Sequence, residues 1–157
     1  MKKQGFLSKL KGGNKLELVE PSEEIKKSYL EKSATSLKAS QILLKSELLE
    51  ASVSMSYYAM YHSFLALMFK CGIKCGNHAG NILLLKELFN ENELYEIISN
   101  AKEERIDKQY YVDFEITKAD TEKLIVKSQE FITKIKLIIE RLTHEEVDKI
   151  RNKFKLL

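Results

Sequence analysis

A chain of 157 residues is long enough for one ordinary domain with its own core, so neither a disulfide nor a metal staple is required to hold it together. One proline, six glycines and long stretches of Leu, Ile, Lys and Glu favour helix, and no run of 18 uncharged apolar residues offers a membrane-spanning helix. The net charge of +3 is too small to identify a nucleic-acid binder by itself.

The opening "MKKQGFLSKLKGGNKLELV" is basic but lacks an apolar signal core and a small-residue cleavage site, which reads as a cytoplasmic protein with Cys71 and Cys75 as reduced thiols. Lys2, Lys3, Lys9, Lys11 and Lys15 occur there with no acid among them, and the tail "KIRNKFKLL" is basic too. Either end could attract phosphate; the plainer reading is a pair of solvated, frayed termini. Residues 1–20 are expected to form a flexible basic arm hinged at Gly12-Gly13, with a single helical domain over 21–157.

The first helix of that domain opens at Pro21-Ser22, with Ser22 as N-cap and Glu23 and Glu24 in the first turn, and Ile25, Tyr29, Leu37 and Leu44 form its apolar stripe. Its serines weaken the pattern without breaking it. The second helix, "ELLEASVSMSYYAMYHSFLALMFK", is the most apolar and reads as the central one, ended by Cys71 and Gly72. After a loop, "HAGNILLLKELF" gives a short third helix and "NENELYEIISNAKEERIDKQYY" a fourth. The fifth starts at the Thr117 cap with Asp120 in its first turn, and Thr143 with Glu146 repeats that signal before a last short helix or a continuation of the fifth. No alternating strand pattern interrupts the series. The expectation is an all-α, up-and-down bundle of four to six helices.

One side chain disturbs the pattern. On the fourth helix Leu94, Ile98, Ala101 and Arg105 follow 4-3-4 spacing, with Val112 a heptad beyond, so Arg105 lies on the apolar stripe. A charge there is expensive unless it is paired or opens onto an interface. It either meets a carboxylate from a neighbouring helix, such as Glu47 or Glu50, or lines a cleft between two protomers. Tyr110 is five residues on, roughly 140° around a regular helix, so it converges with Arg105 only through a bend or a twofold axis; in the row Ile106, Tyr110, Phe114 it is equally a packing residue.

Cys71, Cys75 and His78 make C-x3-C-x2-H, but structural zinc wants closed four-coordination and only three clear ligands are present, so no metal and no cofactor are expected. His62, among Tyr58, Tyr61 and Leu65, reads as a hydrogen-bonded core histidine or as a contact near Arg105, and His144 as solvent-facing. Tyr57, Tyr58, Tyr61, Phe64 and Phe69 would serve either for core packing or for stacking bases; Tyr57 and Tyr58 point roughly 100° apart, so one of them can reach a polar cleft. No glycine-rich phosphate loop, Ser/His/Asp signature or paired-carboxylate box is present.

The segments "SYYAMYHSFLALMFKCGIKCGNHAG", Arg105 through Tyr110, and "ITKADTEKLIVKSQEFITKI" together resemble HEPN-domain proteins, most of all the small stand-alone archaeal and bacterial members. The likeness is carried by Tyr57, Tyr58, Ala59, Met60, Tyr61 and His62, then His78, then Arg105 to Tyr110, then Phe131 and Ile132, and covers about residues 22–140. It implies a four- or five-helix bundle, commonly a homodimer. Many such proteins are RNases forming the toxin half of a toxin–antitoxin pair whose other half is a small nucleotidyltransferase, and they use Arg, four to six residues, then His. This chain departs there: no His follows Arg105 within seven residues, Tyr110 stands at the four-residue spacing, and Gln109 replaces the Asp before it. A neutral Tyr, with a pKa near 10, is a poor base at pH 7.

The reading is therefore a HEPN-like homodimer binding nucleotide or RNA phosphates, or partnering a small nucleotidyltransferase antitoxin, without the usual Arg-His motif. Arg105 and Tyr110 are the candidate catalytic residues, and Arg105, Tyr57, Tyr58, Tyr110, His62 and His78 the candidate binding residues. The alternatives are a metal-independent RNase toxin in which His62 or His78 supplies the base, and a helical scaffold with no ligand.

Overall fold

The computed structural model describes residues 2–110 and 115–157, and side chains over 5–105 and 115–157. The elements run α1 (Lys2–Gly12), β1 (Leu16–Leu18), α2 (Glu23–Lys45), α3 (Leu49–Lys70), β2 (Ile73–Cys75), α4 (His78–Glu87), α5 (Asn92–Tyr110), α6 (Lys118–Arg141) and α7 (His144–Lys155). The all-α reading holds, and no helix among the described residues is long and apolar enough to cross a membrane. The expected caps form: Ser22 Oγ accepts from Ile25 N, Thr117 Oγ1 from Asp120 N, and Thr143 and Glu146 close a reciprocal capping box.

Helix α3 is the axis of the fold. Thirteen of its 22 residues are buried, on nearly every side, and α2, α5 and α6 pack around it. The α2 contact differs from the sequence expectation. The buried residues of α2 are Ser33 and Ser40, while Ile25 is exposed and Tyr29, Leu37 and Leu44 are half-covered. Ser33 Oγ donates to Ala59 O at 2.7 Å, and Ser52 Oγ returns a bond to Ser40 O at 2.7 Å. The serines that weaken the helical pattern thus form the seam, because small side chains let two backbones approach and the hydroxyls find carbonyls across the gap.

The flexible arm expected over residues 1–20 is corrected: α1 and β1 lie within it, and Leu7, Leu10 and Leu16 are buried. Five lysines obscure a short apolar face, Leu7 and Leu10 one turn apart, that packs against α4 where Gly80 has no Cβ to collide with Leu10. Strand β1 pairs antiparallel with β2, Leu16 opposite Cys75, Glu17 opposite Lys74 and Leu18 opposite Ile73. Three residues per strand are too few to display an alternation in sequence. The frayed termini are corrected as well. Lys11 Nζ donates to Phe154 O at 3.2 Å and lies 5.0 Å from the Phe154 ring centre, and Ser8 Oγ donates to Leu157 O at 2.9 Å. One lysine and one serine of α1 thereby serve carbonyls left open at and just after the end of α7. With α1 added to the expected helices, the described residues form seven, one more than the four to six expected.

Gly72 ends α3 in the left-handed region, φ 66°, as the sequence anticipates. Arg151 of α7 holds this corner: its Nη1 donates to Val19 O at 2.8 Å, Gly72 O at 2.9 Å and Cys71 O at 3.0 Å. A Cβ on Gly72 would strike Arg151 Nη1, the Val19 carbonyl and Pro21 Cδ. Replacing Gly72 by Ala is therefore expected to cost more than about 2 kcal/mol, from left-handed strain plus a backbone collision. Arg151→Ala is expected to cost about 1.5–3 kcal/mol through the loss of charge-assisted bonds to three carbonyls. Urea unfolding of both variants checks these figures, and a change below about 0.5 kcal/mol in either contradicts the account of the corner.

Candidate functional site

The apolar stripe of α5 is placed as its spacing requires. Leu94, Ile98 and Ala101 are buried, and Arg105 continues their row to a half-buried position at the edge of the core. The carboxylate partner considered for it is not Glu47 or Glu50; no ion pair among the described residues includes Arg105. Glu47 and Glu50 line a separate concavity with Glu115 at the α2–α3 turn, where three carboxylates would repel a polyanion. Arg105 instead meets aromatic faces. Its guanidinium carbon lies 5.2 Å from the Tyr57 ring centre and 5.4 Å from that of Tyr58, and Nη1 donates to Tyr58 Oη at 3.3 Å. Its Nε is buried with no hydrogen-bond partner among the described residues. Ring quadrupoles attract a cation, by about 0.5–2 kcal/mol, without neutralising it. The two rings thus hold the positive charge in place, and no described carboxylate neutralises it.

The first residue of α4 completes the cluster. Asn77 caps α4, accepting from Gly80 N at 2.8 Å, and this fixes His78 at the helix start. The His78 ring is exposed to solvent and stacks on Tyr61, with centroids 4.1 Å apart and planes 10° from parallel. Its Nδ1 is 3.0 Å from Tyr57 Oη. Tyr61 is itself anchored, because Asn81 Nδ2 donates to its hydroxyl at 2.8 Å and to Cys75 O at 2.9 Å. Arg105, Tyr57, Tyr58 and His78, from three helices, therefore share one site.

The electrostatics follow from burial and from the two nearby cations, Arg105 and Lys102. Burial pushes the Tyr57 hydroxyl well above its ordinary value and Tyr61 up to about 12, so both are neutral phenols at pH 7. His78 is exposed as a residue, but one ring face is covered by Tyr61; that partial desolvation, then the positive charges of Arg105 and Lys102, holds it below the usual imidazole range, so it too is neutral at pH 7. With Nδ1 accepting from Tyr57, His78 Nε2 carries a proton to donate; with Nδ1 donating, Nε2 presents a lone pair.

His62 stands one step out. It is half-buried, its Nδ1 is 3.4 Å from Ser36 Oγ, and its ring faces Tyr58 and Tyr29 at 6.0 Å each. It reaches Arg105 only through Tyr58. The side chain of Tyr110 lies outside the described residues, as do Val112 and Phe114 altogether. Cys71 is fully buried, its thiol pushed up to about 12 by burial, and no group of three or more His, Cys, Asp or Glu among the described residues could hold a metal ion. Sequence reasoning missed Asn81 and Lys102. Asn81 sits in the apolar run "NILLL", and an amide at a buried position signals a hydrogen-bonding task. Lys102, three residues before Arg105, is indistinguishable in sequence from any surface lysine.

Chemically, the site offers a fixed guanidinium, a second cation one turn away, two phenol hydroxyls and a neutral imidazole. Together these are groups able to donate to an anionic oxygen.

Comparison with known proteins agrees with this architecture. The HEPN domain family profile matches residues 27–139. A protein of Methanocaldococcus jannaschii named "Putative toxin MJ0142" is 32% identical over 130 residues, spanning 78% of this chain and 88% of the relative. A second protein of that organism, named "Putative toxin MJ0605", is 27% identical over 124 residues, 76% of this chain and 92% of the relative. The matched span runs from the middle of the first turns of α2 to the last turn of α6 and so includes every described residue of the Arg105 cluster. The chain belongs to the HEPN domain family.

Proposed function

We propose that this chain is the toxin-side HEPN module of a two-component system and that it binds RNA or nucleotide phosphate at Arg105. The observation that carries the reading is the state of that guanidinium: half-buried, positioned by Tyr57 and Tyr58, and unpaired with any carboxylate among the described residues. Structural arginines usually end on carbonyls or carboxylates, as Arg151 does. Tyr58 and His78 supply further donors to a phosphate oxygen, and Lys102 adds charge nearby. The names of the two relatives support the toxin setting, and the resemblance supports a small nucleotidyltransferase as the partner.

The same reading takes the working form to be a homodimer. Between Ser52 and Phe69 every residue of α3 is buried except Met55, Tyr58, His62, Leu65 and Phe69, which are half-exposed. Their 3-4-3-4 spacing is the period of a helix-pairing seam. Tyr58 belongs both to this row and to the Arg105 cluster, so a second copy seated on the row brings two clusters to one cleft. Light scattering is expected to give twice the 18.2 kDa chain mass, and Leu65→Lys to return it to the single value with the helical circular dichroism kept. A wild-type protein that is monomeric at tens of micromolar contradicts the dimer.

A second reading is favoured by one observation, the neutral imidazole of His78 on the solvent side of the cluster. In the tautomer whose Nδ1–H donates to Tyr57, Nε2 is a base able to take a 2′-hydroxyl proton while Arg105 stabilises the phosphoryl charge. This is RNase chemistry with the histidine supplied from α4 instead of from the residues after Arg105. Of the two histidines considered for the base, His62 and His78, it takes His78.

Binding of a fluorescent single-stranded RNA, in 2′-O-methyl form so that it cannot be cut, separates these readings from an inert scaffold. Arg105→Ala is expected to weaken binding at least tenfold, about 1.4 kcal/mol. Unmodified RNA is cut by wild type and spared by His78→Gln only if the second reading holds. The pH dependence has a definite sign. His78 starts below the usual imidazole range, so lowering pH through its depressed value adds positive charge facing the phosphate, and binding tightens. The affinity gain between pH 7.5 and 5.5 is expected to be several-fold larger for wild type than for His78→Gln. Equal gains in the two proteins contradict the role given to His78.

A further inference from the structure

Beside the Arg105 cluster, α4 and α5 enclose a groove of about 210 Å³ lined by Ala79, Ile82, Tyr95, Ser99, Lys102 and Glu103. It is continuous in sequence with the cluster on both sides: Ala79 follows His78 on α4, and Lys102 and Glu103 are one turn or less before Arg105 on α5. Lys102 is close enough to His78 to depress its protonation. On α5 the lining residues recur at 95, 99, 102 and 103, a single helical face, and on α4 at 79 and 82, one turn apart.

The chemistry of the lining is specific. Ala79, the buried Ile82 and the Tyr95 ring, which also has Lys86 Nζ 5.7 Å from its centre, make the apolar part of the lining. Ser99, Lys102 and Glu103 are its polar groups, and neither Lys102 nor Glu103 enters an ion pair among the described residues. The volume is below the roughly 300–1,000 Å³ of sites for larger ligands, which suits one planar ring system. An ammonium donates and a carboxylate accepts, so the matching ring presents acceptors on one edge and N–H donors on an adjacent one. Among the bases guanine does this most fully, with O6 and N7 as acceptors and N1–H and the exocyclic amine as donors.

We propose that this groove is a base subsite selecting guanine in the nucleotide whose phosphate is held at Arg105. Lys102 addresses O6 or N7, Glu103 accepts from N1–H and the amine, and the ring lies on Ala79 and Ile82 against Tyr95. The proposal rests on the phosphate-binding reading and adds sequence preference to it: phosphate contacts position a strand, and base contacts specify it.

The test measures binding of the full chain to two labelled 2′-O-methyl hexamers, oligouridylate and the same oligomer with one central guanosine. Wild type is expected to bind the guanosine oligomer about tenfold more tightly, and Glu103→Gln to reduce that ratio below about threefold, since an amide cannot accept both N–H groups. Glu103 is exposed, so the variant retains the fold. A wild-type ratio near one, with binding that is still lost in Arg105→Ala, overturns the guanine subsite while the phosphate reading stands. A preference that persists undiminished in Glu103→Gln also overturns it. Failure of both hexamers to bind overturns both readings.

Discussion

A cation held by aromatic faces, with no opposite charge beside it among the described residues, is the constraint on which this site depends. A carboxylate partner would fix Arg105 equally well, but it would spend the charge internally. Tyr57 and Tyr58 hold the guanidinium through ring quadrupoles and one hydroxyl, which leaves the field of the cation acting outward. The neighbours are tuned by the same arrangement. Burial keeps the Tyr57 and Tyr61 hydroxyls protonated, and partial desolvation with two nearby cations keeps His78 neutral. The result is a small set of donors and one base-or-donor nitrogen arranged around a fixed positive charge.

The scaffold makes that arrangement rigid. Tyr57, Tyr58 and Tyr61 project from α3, the helix buried on nearly all sides, whose position is set by the serine seam with α2 and by the packing of α5 and α6. His78 is set by the Asn77 cap and by stacking on Tyr61, which Asn81 ties in turn to the β2 backbone at Cys75. At the far end of α3, Arg151 and Gly72 lock the turn from which β2 and α4 depart. Two of the three arginines therefore sit in contrasting surroundings: Arg151 consumes its donors on carbonyls and shapes the chain, and Arg105 lies against aromatic faces with no ion pair among the described residues.

Much of this was legible in the residues because it rests on local periodicity. The 4-3-4 row Leu94, Ile98, Ala101, Arg105 put the arginine at the core edge, and the Ser22, Thr117 and Thr143 caps marked three helix starts. What sequence could not show depends on long-range pairing. The α1–β1 segment is hidden because its few leucines become apolar surface only against α4 and β2. The serine seam is hidden because small residues signal close approach only when the opposite helix is known. That His78, rather than a residue just after Arg105, is the imidazole beside the tyrosines follows from the return of the chain through β2, three residues long and invisible to pattern. A missing histidine in a linear motif is therefore weak evidence about a site assembled from three helices.

With three arginines in the chain, side-chain Nε–H signals in a nitrogen-proton NMR spectrum can be assigned by replacing each with lysine in turn. Titrating the uncut single-stranded RNA and following those three signals tests directly where the phosphate goes. The account predicts that the Arg105 signal moves progressively with added RNA while those of Arg141 and Arg151 stay still. An Arg105 signal that stays fixed while the RNA binds elsewhere on the protein would contradict it.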